Sequence, residues 1–269
     1  MDPSERAAVP DPIAARTRRR TAIAWGIACH GLFLLGSGAM IAGLFTGMRS
    51  GVGALSGGWA WLADGLLLAQ FPVLHSALLT RPGRRLLRRL APGWAGGALD
   101  TTLFAAAASV QVLAVFLLWS PLGSWRWAPG GALFWGSAAS YAAAWLVMGK
   151  AVWDTGLGAQ LGYTGWLALW RGERPAYPEP PRGGLYRYLR HPVYAAMIAV
   201  LWTGPVWTLD HLLLAAPLTA YCVIGPRFKE ARHARRAAGG VSATSATSAV
   251  SRRRPRTAPA ARPGGRLSA

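Results

Sequence analysis

The chain has 269 residues, 52% of them hydrophobic and 14% charged, with a mean hydropathy of +0.26, a balance outside the range of soluble domains. Its formal charge of +19 would mark a nucleic-acid binder if it formed one face. The arginines instead stand in clusters between long apolar stretches, as topology-setting loops do, so membrane lipid and not nucleic acid is the expected partner.

Residues 1–20, with Pro3, Pro10 and Pro12 among mixed charges, read as a short disordered cytoplasmic arm. Arg16, Arg18, Arg19 and Arg20 close it, and the apolar stretch 21–48 follows without a cleavage site, which fits a signal anchor. Cys29, like Cys222 much later, lies inside an apolar segment, which excludes a disulfide framework and a CxxC site, and no metal is expected. Three further stretches, 58–80, 97–118 and 132–153, hold the roughly 20 residues a helix needs to cross hydrocarbon. Gly36, Gly38, Gly43 and Gly47 suit close helix packing in the first span. In the second, Pro72 marks a kink between Gln70 and His75, and Asp64 stands about 16 Å from His75 along the axis. Asp100 is placed to cap the third helix, while His30, Gln111 and His211 serve packing.

Residues 153–189, rich in Gly, Pro and aromatics, form a partly ordered lid over a site. Within it, GLGAQLG (156–162) follows no strand, and Asp154-Thr155-Gly156 occurs once, so neither carries dinucleotide or aspartic-protease chemistry. The last apolar stretch, 192–225, holds 34 residues, about 51 Å as one helix and too long for a core of about 30 Å. Gly204 and Pro205 stop it and Thr208 caps a new helix, giving a short helical hairpin. Residues 21–236 thus form an all-α, polytopic transmembrane bundle of about six spans, followed by a disordered basic tail over 237–269. This layout puts 27 of the 29 Lys and Arg on the cytoplasmic side and only Arg49 and Arg126 outside, with both termini in the cytoplasm of an inner or plasma membrane. Trp59, Trp61, Trp119, Trp125, Trp127 and Trp135 cluster at outer ends, and Trp153, Trp166 and Trp170 at an inner end, as interfacial anchors.

GLYRYLRHPVYAAM, residues 184–197, places Arg190 and His191 at the cytoplasmic mouth of the fifth helix, with Pro192 at its first position, where a missing N–H costs nothing. The amides of Val193 and Tyr194 carry the partial positive charge of a helix amino terminus, so the segment reads either as an anion site or as a helix start with snorkelling arginines. Tyr186 followed by Arg190, His191, Pro192 and Tyr194 resembles the signature of integral membrane methyltransferases related to isoprenylcysteine carboxyl methyltransferase. LHSALLTRPGRR (74–85), LLWSPL (117–122), LGYTG (161–165) and VLWTGPVWTLDHLLLAAPLTAYCVIG (200–225) resemble the methanethiol S-methyltransferase and NnrU branch of that group.

The resemblance implies a membrane enzyme that binds S-adenosylmethionine at its cytosolic face and methylates a small thiol or a lipophilic, isoprenylcysteine-like acceptor. Arg190, His191 and Pro192 at the helix start would receive the cofactor carboxylate, Tyr186 or Tyr194 the adenine, and Glu230 the ammonium or ribose. Arg190 and His191 would form the catalytic set with His75, which would take the proton of a thiol acceptor. The family places an acidic pair near position 230, whereas Ala231 follows Glu230 here. A non-catalytic NnrU-type assembly or transport factor on the same scaffold is the alternative.

Overall fold

The computed structural model describes residues 12–123, 125–177 and 183–226. One unit covers Met1–Val223; the second covers Ile224–Ala269, and only its residues 224–226, the end of a helix, are described.

Apolar composition without β-branched runs gives long helices: α1 (Pro12–Phe45), α2 (Gly57–Leu78), α3 (Arg81–Arg88), α4 (Asp100–Leu117), α5 (Gly131–Gln160), α6 (Tyr163–Arg171), α7 (Pro192–Trp202) and α8 (Leu209–Pro226). α1 starts at Pro12, so helix already covers residues 12–20, which the sequence assigned to an arm; Ala and Arg are strong helix formers, and the segment simply continues the span. α1, α4, α5 and α8 are long and apolar enough to cross a membrane, and α2, which turns by 93° into α3, raises the number to as many as five. α7 has 11 residues, about 16 Å, roughly half the hydrocarbon thickness.

The break between α7 and α8 falls where Gly204 and Pro205 stand. Thr208 Oγ1 accepts the His211 N–H at 3.1 Å and donates to Gly47 O at 2.6 Å, so the expected cap also ties α8 to the end of α1. α8 then folds back along α7: Trp202 Nε1 donates to Thr219 Oγ1 at 2.8 Å, and Val200, Leu201, Leu214 and Ala215 share one core. That core also takes Leu44 of α1, Phe116 of α4 and Met148 of α5. A second cluster joins Ala22, Leu87, Leu99, Leu103 and Leu169 at the arginine-rich end of α1, α3, α4 and α6.

α1 and α4 lie close because Gly36 faces Ser109 O and Gly43 faces the Phe116 ring, where a Cβ would come within 2.8 Å and 2.6 Å. Gly38 meets nothing within 4 Å, so the small-residue stripe is narrower than the sequence suggested. Asp100 does not cap α4. The N-cap is Leu99, without a side-chain cap bond, and Asp100 pairs with Arg88, which the bend before α3 delivers to it. Trp119 is no interfacial anchor either: it is 1% exposed, and its Nε1 donates to Asp210 Oδ1 at 2.9 Å.

At the end remote from the arginines, Asp210 also accepts the Leu122 N–H at 3.0 Å, and Asp64 accepts the Ser120 N–H at 3.0 Å. Two buried carboxylates thereby fasten the turn between α4 and α5. The two-residue strands Arg126–Trp127 and Trp207–Thr208 pair antiparallel beside it. His30 accepts from Trp166 Nε1 at 3.0 Å, a packing role, and the backbone carbonyl of Gln111 accepts from Gln70 Nε2 at 3.1 Å.

Candidate functional site

The residues of the signature meet at the end of α5. α5 breaks at Gly156, which has φ 103° and ψ 97°. Just before the break, Asp154 pairs with Lys150 one turn earlier and accepts the Leu185 N–H through Oδ2 at 2.8 Å. Leu185 belongs to a single 3₁₀ turn, Gly184–Arg187. Gly184 has φ +62°, and a Cβ there would stand 2.3 Å from Asp154 Oδ2, so only glycine lets the turn approach the carboxylate. Thr155 Oγ1 donates to Ala151 O at 2.7 Å, so in its 2.9 Å contact with Tyr186 the tyrosine hydroxyl is the donor.

These bonds bring the chain to the start of α7. His191 is the N-cap residue, with φ −137° and ψ 69°, and Pro192 is buried in the first turn. The rings of His191 and Tyr194 meet edge to face, 6.0 Å apart at 86°. Arg187 and Arg190 are exposed, while Tyr186, His191 and Tyr194 are half-buried. Below them Leu185, Val193 and Met197 pack on the core shared with α5. Tyr186, Arg190, His191, Pro192 and Tyr194 therefore occupy one short, braced stretch. Glu230 lies outside the described residues.

His75 is on α2. Its ring stacks on Phe71 with centroids 5.1 Å apart and meets Phe104 edge-on at 5.0 Å. Ser76 Oγ contacts Tyr221 Oη at 3.3 Å, and Phe71 meets the Tyr221 ring at 6.3 Å. The histidine thus stands among aromatic rings between α2, α4 and α8. Phe71 and Met197 both pack against the main core, which connects this aromatic group to the α7 side.

The donor set suits a zwitterionic nucleoside. An exposed guanidinium beside a helix amino terminus can pair with a carboxylate, and a half-buried aromatic ring can stack on a flat heterocycle. Charge-assisted hydrogen bonds contribute about 1.5–3 kcal/mol and a helix terminus about 0.3–1 kcal/mol, so Arg190 outweighs the dipole. Sequence reasoning missed Asp154, Thr155 and Tyr221. The first two lay in a triplet dismissed for the wrong chemistry; the signal that could have found them is Gly184, a glycine directly ahead of the aromatic and basic residues. A cavity of about 200 Å³ lined by Leu55, Ser56, Ala60, Trp61 and Leu122 lies at the remote end, near the Asp64 and Asp210 anchors, and takes no part in this cluster.

Comparison with known proteins bears out the resemblance. The methanethiol S-methyltransferase of a Pseudomonas species (strain GM41) is 27% identical over 217 residues, 77% of this chain and 80% of that protein. The enzyme of the same name from Pseudomonas deceptionensis is 29% identical over 176 residues, 64% of each chain. Nurim of Danio rerio shares 50% identity over 40 residues, 15% of this chain and 14% of that protein. No protein-family model matches the chain, and no solved structure does. The chain is an integral membrane protein similar over most of its length to proteins named methanethiol S-methyltransferase.

Proposed function

We propose that this chain is a membrane methyltransferase that moves a methyl group from S-adenosylmethionine to a small thiol, with the arginine-rich end and both termini in the cytoplasm. The observation that supports it most is the convergence of Tyr186, Arg190, His191 and Tyr194 on the braced end of α5, in a chain similar over most of its length to proteins named for methanethiol methylation.

When bound, S-adenosylmethionine supplies an electrophilic methyl on a sulfonium, open to in-line displacement by a thiolate. The protein's part is placement. Arg190 and the start of α7 would hold the cofactor's carboxylate, and the edge-to-face pair of His191 and Tyr194 would offer an aromatic face to its heterocycle. Tyr186, its hydroxyl tied to Thr155, closes the side toward α5. His75, among Phe71, Phe104 and Tyr221, takes the thiol proton inside an apolar surround that keeps water from the nucleophile. A small thiol is the acceptor favoured here because the proteins similar to this chain are named for methanethiol methylation.

The test is transfer of labelled methyl from S-adenosylmethionine to methanethiol, to an isoprenylcysteine carboxylate and to a phospholipid amine, using purified protein. Labelled dimethyl sulfide, with little label in the other two, is expected; label confined to the lipid amine or the carboxylate overturns the thiol assignment. The alternative reading is a non-catalytic assembly or transport factor of NnrU type on the same scaffold. It predicts no transfer to any acceptor and no S-adenosylmethionine binding by folded protein.

A further inference from the structure

α3 is set at 93° to α2. Thr80 starts it by accepting the Gly83 N–H at 3.2 Å, and Gly83 fits so closely under α2 that a Cβ would lie 2.2 Å from Ala77 O. With α2 crossing the membrane, α3 lies along the interface.

Its residues divide cleanly. At about 100° per residue, Arg81, Arg84, Arg85 and Arg88 fall within an arc of about 100°, and Leu86 and Leu87 occupy the opposite side. Leu87, 5% exposed, fills the second core between α1, α4 and α6. Leu86, Leu90 and Trp94 remain 58%, 63% and 57% exposed, as hydrocarbon-facing side chains at an interface would be. Arg89, the C-cap residue, extends the basic side.

Charge on that side is uncompensated. Arg88 pairs with Asp100, whereas Arg81, Arg84, Arg85 and Arg89 are exposed and have no carboxylate partner among the described residues. Arg81 and Arg85, Arg84 and Arg88, and Arg85 and Arg89 are each four apart, the spacing at which like charges repel on a helix. Arg19 stacks over Trp170 of α6 at 5.5 Å, which brings a cation of α1 to the same end. An array of this kind is relieved by anions lying between its members.

We propose that α3 is a binding surface for the phosphate headgroups of anionic phospholipids, which fill the spaces between its arginines while Leu86, Leu90 and Trp94 enter the acyl region. The surface rests on the membrane assignment and not on the reaction. Each arginine near an anionic surface adds about fivefold to lipid partitioning.

The experiment reconstitutes the full chain in bilayers of equal phosphatidylglycerol and phosphatidylcholine, extracts it with its surrounding lipid and compares retained with bulk lipid. The wild type should retain phosphatidylglycerol in excess by about fivefold or more. R84Q/R85Q/R89Q should fall to the bulk ratio, whereas R84K/R85K/R89K, with charge kept and folding least disturbed, should retain the excess. R252Q/R253Q/R254Q, which removes the same charge from the tail, should also retain it. Wild-type lipid at the bulk ratio, an unchanged glutamine variant, or loss in the lysine or tail variant would each overturn the proposal.

Discussion

Gly184 and Asp154 brace the stretch that carries Tyr186, Arg190, His191 and Tyr194. A side chain at Gly184 would combine a left-handed backbone with a 2.3 Å approach to the Asp154 carboxylate, so Gly184→Ala should lower the thermal midpoint and raise the KM for S-adenosylmethionine more than it changes kcat. Asp154→Ala removes the acceptor of the Leu185 N–H and should raise the same KM. Asp154→Asn keeps an acceptor oxygen there and should behave close to wild type; equal KM values for the alanine variant and wild type would show that the brace does not hold the site. At His75 the role differs. If it takes the thiol proton, His75→Ala should reduce transfer by about a hundredfold or more while S-adenosylmethionine still binds. Turnover that survives the change would remove His75 from the chemistry.

Among the elements, the junction of α1 and α4 offers a controlled comparison. Gly43 faces the Phe116 ring at a distance no side chain fits, and Gly38 faces open space. Gly43→Leu should cost about 1–3 kcal/mol by overpacking, read as a lowered melting temperature, and Gly38→Leu should change it little. The sequence could not separate the two glycines, because composition reports small residues and not which face meets a neighbour. The hairpin of α7 and α8 was legible, since Gly204, Pro205 and Thr208 act locally through backbone restriction and capping. Asp100 was misread for the converse reason: a cap competes with a partner 12 positions earlier, and that partner arrives only through the bend between α2 and α3. The run from Tyr186 to Tyr194 was readable as a motif, but its attachment to Asp154 and Thr155 joins positions 31 apart in the chain, which no local pattern reports.

On the scale of the whole molecule, charge and braces divide the bundle into two ends. One carries Arg16 to Arg20, α3 and the signature of α7; the other is fastened by Asp64 and Asp210 on backbone amides. The reading of this asymmetry as cytoplasm against exterior predicts that cysteines placed at Ser4 and Ser268 react with an impermeant thiol reagent only after the membrane is opened, and one at Ser124 before. Cys29 and Cys222 are buried and should stay unlabelled. Reaction of Ser268→Cys in sealed cells would reverse the carboxyl terminus. The most direct test of the account is calorimetric titration of the purified protein with S-adenosylmethionine. Saturable binding to one site per chain is predicted, weakened about tenfold or more by Arg190→Ala and by His191→Ala and unchanged by His75→Ala. Folded protein that takes up no S-adenosylmethionine, or a His191→Ala variant that binds as tightly as wild type, would contradict it.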